Sequence, residues 1–189
     1  MVYHFNGWVL NCFIIIYFVL VSLLKFKYKK SYTFLLFFSI MYVYMCNVIK
    51  LTQFPIYVDD LQREAFGGQN VWREMNLIPF KYTFTKENVF NILMTVPFGF
   101  GLPFIIKSSF MKTLIVGAIT GAILELGQLL SALYAGYTFR YVDINDVIYN
   151  LTGVLIGYLV FKIFKKIFNA SVKKFNIKSN SIINHILNT

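Results

Sequence analysis

Five long apolar stretches alternate with shorter polar segments along the chain. They run from Trp8 to Leu24, Tyr32 to Ile49, Val89 to Ile106, Thr113 to Leu133 and Val147 to Phe164. A helix needs about 20 mostly apolar residues to cross a hydrocarbon core about 30 Å thick. The pattern therefore predicts an all-α, polytopic membrane protein, built as a bundle of five transmembrane helices. Pro97 and its neighbouring glycines interrupt the third stretch, and such interruptions in a membrane occur beside cavities.

A long polar segment, from Lys50 to Asn88, lies between the second and third predicted helices. It is too long to be a simple connection. Within it, the run from Asp59 to Glu64 predicts a short helix that ends at Gly67-Gly68. In the polar tail that follows the fifth helix, we expect one interfacial turn around Ile182 to Leu187.

Basic residues are distributed unevenly between the two sides of the predicted bundle. If the five helices alternate in direction, one side of the bundle has no acidic residue. The basic residues of that side are Lys25, Lys27, Lys29, Lys30, Lys107, Lys112, Lys162, Lys165, Lys166, Lys173, Lys174 and Lys178. The opposite side carries Lys50, Arg63, Arg73, Lys81, Lys86 and Arg140, together with every acidic residue except Glu125. Because cytoplasmic loops are enriched in Lys and Arg, we predict an outside N-terminus, a cytoplasmic C-terminus and an extracytoplasmic loop between helices 2 and 3.

The composition supports a membrane protein and excludes several other classes. Of the 189 residues, 58% are hydrophobic and only 14% are charged, against about 25% charged in soluble domains. The mean hydropathy is +0.63. A disordered chain and a disulfide-framework domain are therefore excluded. The net charge of +10 lies mainly in the predicted cytoplasmic loops and tail, where attraction to anionic lipid explains it better than nucleic-acid binding.

Three of the predicted helices carry polar and small residues at helical spacing. The fifth helix has Asp143, Asp146, Asn150, Gly153 and Gly157; the fourth has Thr113, Gly117, Gly121, Glu125 and Gln128; the third has Asn91, Thr95 and Gly99. Residues three and four apart share one face of a helix. The polar members lie toward the outer end of each helix, so we expect a small polar cavity among these three helices, open to the outer leaflet.

The candidate ligand-binding residues of this cavity are Asn91, Glu125, Gln128, Arg140, Asp143, Asp146 and Asn150. Glu125 is the most informative, because a carboxyl well inside a span costs a few kcal/mol unless it is paired or protonated. We expect Arg140 to reach over the opening of the cavity. The helix-packing candidates are Gly117, Gly121, Gly153 and Gly157, since small residues let helix backbones approach closely in a membrane.

Structural explanations of the same polar residues stay open. Asn91 and Asn150 fit interhelical hydrogen bonds. Asp143 and Asp146 fit caps at the start of the fifth helix, where carboxylates complement the helix dipole. Glu125 fits a hydrogen bond to the side chain of Gln128 or of Asn150.

Many of these residues belong to ordered motifs. The motifs are Asn76-Leu77-Ile78-Pro79-Phe80, Glu87-Asn88-Val89 through Asn91 to Pro97-Phe98-Gly99, and Glu125-Leu126-Gly127-Gln128 followed by Arg140, Asp143-Ile144-Asn145-Asp146, Asn150 and Gly153 to Gly157. In this order they resemble the VanZ-like family, which is named for a membrane protein associated with teicoplanin resistance. The resemblance covers Tyr32 to Phe164.

The resemblance implies a bacterial plasma-membrane protein linked to glycopeptide antibiotics, and it implies no particular chemical mechanism. It divides the chain into three parts. Residues 1–31 form an extra N-terminal transmembrane helix and a basic cytoplasmic loop, residues 32–164 form the VanZ-like transmembrane domain, and residues 165–189 form a basic cytoplasmic tail.

Three functions of different classes fit these observations. The favoured one is a binding protein that holds or reorganises the polar headgroup of a membrane lipid or lipid-linked wall precursor and thereby lowers susceptibility to glycopeptides. The second is an intramembrane enzyme acting on a lipid or isoprenoid-phosphate headgroup, with Glu125, Asp143 and Asp146 as candidate catalytic residues. The third is a small transporter. Beyond a weak Mg²⁺ site at Asp143 and Asp146, we expect no cofactor or metal, and a homo-oligomer stays open.

Overall fold

The computed structural model describes residues 1–66 and 69–189, and seven α-helices make up most of this part of the chain. Their bounds are α1 Gly7–Ser22, α2 Tyr32–Gln53, α3 Asp60–Ala65, α4 Lys86–Gly101, α5 Phe110–Ala135, α6 Ile144–Lys174 and α7 Ser181–Leu187. A π-helical turn, Leu23–Lys27, extends α1, and a 3₁₀ turn, Leu102–Phe104, extends α4. The glycines expected to end the short loop helix, Gly67 and Gly68, lie outside the described residues.

Four of the described helices are long and apolar enough to cross a membrane: α1 with its π-helical turn, α2, α5 and α6. Helix α4 corresponds to the third predicted span and has 16 residues. At about 1.5 Å per residue it is about 24 Å long, which is short for a core of about 30 Å. Pro103 lies in the 3₁₀ turn that follows, because proline cannot continue the α-helical hydrogen bonding. The structure thus shows a nearly all-α protein with four candidate spans, and a fifth crossing by α4 stays a prediction.

Polar side chains define where several helices begin. Ser31 Oγ accepts the Phe34 N–H at 3.1 Å at the start of α2, and Asp143 Oδ1 accepts the Asn145 N–H at 2.7 Å at the start of α6. Such caps satisfy backbone donors that have no partner within the helix. Helix α5 ends at Gly136, whose φ of +80° is the left-handed conformation that favours glycine.

Helices α4 and α6 pack backbone against backbone. A Cβ atom at Gly153 would overlap the carbonyl oxygen of Ile92, and one at Gly157 would overlap that of Val96. The contact between α5 and α6 is looser. A Cβ atom at Gly117 would lie 3.0 Å from Val154 Cγ1, and one at Gly121 would lie 3.3 Å from Val147 Cγ1. All four packing candidates therefore lie at contacts with or within the α4–α5–α6 group.

The two ends of the bundle are structurally distinct. At one end, which we call the loop end, strand β1 (Val2–Tyr3) pairs antiparallel with β2 (Ile56–Tyr57), so the N-terminus and the α2–α4 loop lie together. At the opposite end, the tail end, α7 covers the segment where an interfacial turn was expected. It is packed on the bundle, since Ile186 is buried and His185 Nε2 lies 2.8 Å from the carbonyl oxygen of Phe104.

Candidate functional site

The α2–α4 loop is fastened to the start of α6 at the loop end. The Asn76 N–H donates to the Val142 carbonyl, and the Ile144 N–H donates to the Asn76 carbonyl, each at 2.9 Å. These bonds form a parallel bridge between Asn76 and Asp143. Two motifs that are far apart in the sequence, one beginning at Asn76 and the other at Asp143, are thus in direct contact.

Side chains strengthen this contact. Asn76 Nδ2 donates to Asp143 Oδ1 at 2.8 Å, and the same oxygen caps α6 through the Asn145 N–H. The Phe80 N–H donates to Asn145 Oδ1 at 2.7 Å. Because Asp143 Oδ1 already accepts two hydrogen bonds, this carboxylate holds the loop to the helix.

Glu125, in α5, binds the same contact between the loop and the start of α6. Its side chain is buried, 5% exposed, and its Oε2 accepts the Asp143 N–H at 3.0 Å. The structural alternative had placed this hydrogen bond on Gln128 or Asn150, whereas the donor is a backbone N–H. A buried backbone N–H needs an acceptor, and the Glu125 side chain supplies it. Glu125 therefore links the middle of α5 to the turn that precedes α6.

A cavity of about 850 Å³ lies at the loop end, between α2 and α4 and beneath the residues that precede α6. Most of its lining is apolar, and we call it the polar cavity after the polar side chains that it contains. Four of the predicted binding residues line it: Asn91, Gln128, Arg140 and Asp146. The other three, Glu125, Asp143 and Asn150, do not line it. Asn150 lies at the α4–α6 contact, where its carbonyl oxygen accepts the Thr95 hydroxyl at 2.8 Å. The predicted set is thus divided between a cavity and a structural network beside it.

Sequence reasoning missed the wall that α2 contributes. Tyr44, Asn47 and Leu51 line the cavity from this helix, and their spacing of three and four places them on one helical face. Glu87, in the first turn of α4, also lines the cavity. The position of Asn47 within an apolar span could have indicated that α2 lines the cavity, because polar residues in spans usually face a protein interior or a water-filled cavity.

Each charged side chain of the cavity lies near a helix end whose dipole has the opposite sign. Arg140 donates from Nη2 to the Phe54 carbonyl at 2.9 Å and from Nη1 to the Leu51 carbonyl at 3.3 Å, at the C-terminus of α2. Glu87 and Asp146 lie in the first turns of α4 and α6. Helix dipoles stabilise cations at C-termini and anions at N-termini. The dipoles therefore offset part of each charge, although burial lowers the pKa of the Arg140 guanidinium.

The arrangement of carboxylates bears on metal binding. Asp146 faces the cavity, whereas Asp143 Oδ1 is used by Asn76 and Asn145. Over residues 1–66 and 69–189, no group of three or more His, Cys, Asp or Glu side chains is arranged to hold a metal ion. A magnesium site at Asp143 and Asp146 stays a prediction.

These features define a small helical membrane protein with a polar cavity at one end of its bundle. Residues 13–165 match the VanZ/LLP1 family, and since this match spans most of the chain, the protein belongs to that family. The expected family is thereby confirmed. The match begins inside α1, earlier than the motifs that start after Tyr32, and leaves residues 166–189 outside it. Comparison with curated proteins and with solved structures finds no match.

Variants of Glu125 test whether its role at the junction is structural. In Glu125→Gln, the amide oxygen can still accept the Asp143 N–H, so we expect the free energy of unfolding to change by less than about 1 kcal/mol. Glu125→Leu leaves this N–H unpaired, and we expect a loss of about 1–3 kcal/mol. Unfolding in detergent micelles measures both values. An equal loss in the two variants would contradict the hydrogen-bonding role and would make the negative charge itself the stabilising feature.

Proposed function

We propose that the cavity binds the polar headgroup of an envelope lipid or lipid-linked wall precursor in the outer leaflet of the bacterial plasma membrane. We further propose that this binding lowers susceptibility to glycopeptide antibiotics of the teicoplanin type. The observation that carries the proposal is the cavity of about 850 Å³, into which α2, α4, α5, α6 and the residues between α5 and α6 all place polar side chains.

The chemistry of the cavity suits a headgroup with both phosphate and hydroxyl groups. Arg140 supplies N–H donors for phosphate oxygens, and Asn91 and Gln128 supply amides that both donate and accept. Asp146 supplies carboxylate oxygens that accept from hydroxyls. The volume lies within the range of about 300–1,000 Å³ that is usual for small-molecule sites.

The proposed membrane orientation places this cavity outside. It combines five crossings, including α4 with its 3₁₀ extension, with an external N-terminus and a cytoplasmic C-terminus. Pairing of β1 with β2 supports the proposal, because it joins the N-terminus to the α2–α4 loop at one end of the bundle. The lysine-rich segment that forms the end of α6 and precedes α7 lies at the opposite end of the bundle, where a cytoplasmic leaflet would attract it.

The link to glycopeptides rests on family membership together with the position of the cavity. The family is named for a membrane protein associated with teicoplanin resistance, and a site for wall-precursor headgroups in the outer leaflet would act at the surface that such antibiotics reach. The enzymatic alternative needs Asp143 and Asp146 to act together on a headgroup. We favour binding, because Asp143 Oδ1 is engaged by Asn76 and by the N-terminus of α6.

The variant Asp146→Asn tests the proposal, with Asp60→Asn as the matched control. Asp60 lies in α3, away from the cavity, and its side chain is 93% exposed. Asp146→Asn keeps an oxygen acceptor, but it replaces a hydrogen bond to a charged group, worth about 1.5–3 kcal/mol, by a neutral one, worth about 0.5–1.5 kcal/mol. We therefore expect this variant to bind the headgroup about tenfold more weakly. Teicoplanin susceptibility is measured in a deletion strain complemented with each form, at membrane levels matched by immunoblot.

We expect the intact protein and Asp60→Asn to protect equally and Asp146→Asn to lose most of the protection. The change of Asp146 removes a helix-dipole contribution of at most about 1 kcal/mol, which is too small to unfold the protein. Equal protection by Asp146→Asn would place the function outside the cavity. Absence of protection by the intact protein would remove the glycopeptide role from this chain.

A further inference from the structure

An apolar groove of about 500 Å³ lies between α2 and α4 in the half of the bundle nearest the tail end. Its walls include Phe37, Ile40 and Met41 from α2 and Phe100 from α4, and Phe104 and Ile186 line its end. Ile186 belongs to α7, which crosses the tail end of the groove. The groove has almost no polar lining, so it suits a hydrocarbon chain.

The groove is continuous with the polar cavity. Tyr44 and Pro97 line both of them, one from α2 and one from α4. The Tyr44 hydroxyl donates to the Met94 carbonyl, which fixes the tyrosine ring at the junction. Gly101 presents no side chain to the groove beyond it. The polar cavity therefore opens directly into the apolar groove, and both lie between α2 and α4.

The combined length exceeds that of one membrane leaflet. From Asn91 in the cavity to Phe104 in the groove, the helical rise of about 1.5 Å per residue gives about 20 Å. Half of a hydrocarbon core of about 30 Å is about 15 Å. In the proposed membrane orientation, a chain that starts in the cavity and follows the groove therefore passes the middle of the membrane, where the acyl chains of an ordinary leaflet end.

Arg140 provides the anchor for a phosphate at the cavity end. Two of its N–H groups donate to the Leu51 and Phe54 carbonyls, and its remaining N–H groups are available to a ligand. Within the described residues, no carboxylate side chain forms an ion pair with Arg140, although Glu87 and Asp146 line the same cavity. Guanidinium groups bind phosphate through several N–H donors at once.

We infer that the cavity and the groove form one site for a polyprenyl phosphate lipid, with the phosphate at Arg140 and the single long chain passing Tyr44 and Pro97 toward α7. This inference rests on the proposed headgroup function and names the lipid class that it takes. The groove adds selectivity for chain length, which a headgroup cavity alone would not provide.

The test compares two lipids that share one headgroup. Undecaprenyl phosphate has the long chain and farnesyl phosphate has a short one, and binding of each to the full-length protein is measured by native mass spectrometry from detergent micelles. We expect the intact protein to bind undecaprenyl phosphate at least about tenfold more tightly. Arg140→Gln should weaken the binding of both lipids.

A variant that fills the groove distinguishes the contribution of the lipid chain to binding from that of the headgroup. Ile40→Trp fills it, and Ile123→Trp is the matched control, because both isoleucines are 60% exposed and Ile123 lies outside the cavity and the groove. We expect Ile40→Trp to weaken undecaprenyl phosphate binding about tenfold, to the level of farnesyl phosphate, and Ile123→Trp to weaken neither. Gly101→Leu fills the groove from α4 and replaces Ile40→Trp if that variant does not fold.

Three outcomes would overturn the inference. Equal binding of the two lipids, unchanged by Ile40→Trp, would exclude the groove while Arg140→Gln still reports the headgroup site. Equally tight binding of the two-chain lipid dioleoyl phosphatidic acid would exclude selectivity for a single long chain. Failure to bind any of the three would overturn the lipid class, and the susceptibility test with Asp146→Asn would then decide the proposed function independently.

Discussion

Replacement of Gly157 by alanine is expected to lower the free energy of unfolding by about 3 kcal/mol. The new methyl group would overlap the carbonyl oxygen of Val96 and would lie 2.8 Å from the Phe100 nitrogen, both in the backbone of α4. Backbone atoms of a packed helix cannot turn away as side chains can. Helices α4 and α6 would therefore have to separate along the most closely packed contact of the bundle.

Gly101→Ala is the matched control for this experiment. Gly101 also lies in a helix of the same contact group, but a methyl group there would meet only the end of the flexible Met41 side chain, its terminal methyl and its sulfur. That flexible side chain can move, and alanine favours a helix over glycine by up to about 1 kcal/mol. We expect Gly101→Ala to change the free energy of unfolding by less than about 1 kcal/mol, measured for both variants by denaturation in detergent micelles. Similar stability of the two variants would contradict close backbone packing at Gly157.

The helices themselves were largely predictable from the sequence, because apolar stretches of about 20 residues are typical of membrane-spanning helices. The exception is α4, whose boundaries depend on Pro97 and Pro103 as much as on hydropathy. Proline 97 is accommodated inside the helix, whereas Pro103 falls in the 3₁₀ turn after its end. Hydropathy counts both positions alike, so it does not show which of the two prolines ends the helix.

The candidate site was less predictable, since spacing gives the face of a helix and does not give its neighbour. Asp143 and Asp146 share a face by spacing, yet Asp143 is the residue before the first turn, so its side chain folds back onto its own helix. The partner of Glu125 is a backbone N–H, which every residue but proline carries, so no sequence pattern marks it. The wall from α2 depends on which helices are adjacent, and that too is a property of the packed bundle.

The division of the acidic residues has a functional consequence. Asp146 lines the cavity, while Glu125 and Asp143 hold the α2–α4 loop to the start of α6. We expect variants of Glu125 and Asp143 to change the position of the loop. Susceptibility measurements on them therefore need a stability measurement beside them, whereas those on Asp146 report the cavity more directly.

Asp143→Ala is expected to be the most damaging single change at the loop end, with a loss of about 2–4 kcal/mol in the free energy of unfolding. The variant removes the cap of α6, which costs about 1 kcal/mol. It also leaves Nδ2 of Asn76, a residue that is 6% exposed, without its acceptor, which costs about 1–3 kcal/mol more. Asp143→Asn keeps an oxygen acceptor and should lose much less.

The matched control is Asp59→Ala, since Asp59 caps α3 by accepting the Leu61 N–H at 3.3 Å in an exposed position. We expect that variant to lose about 1 kcal/mol or less. Hydrogen exchange adds a local measurement, because the Asn76 and Ile144 N–H groups are protected by the bridge between the loop and α6. Both should exchange faster in Asp143→Ala and unchanged in Asp59→Ala. Unchanged protection in Asp143→Ala would show that the backbone bridge holds the loop to α6 without this side chain.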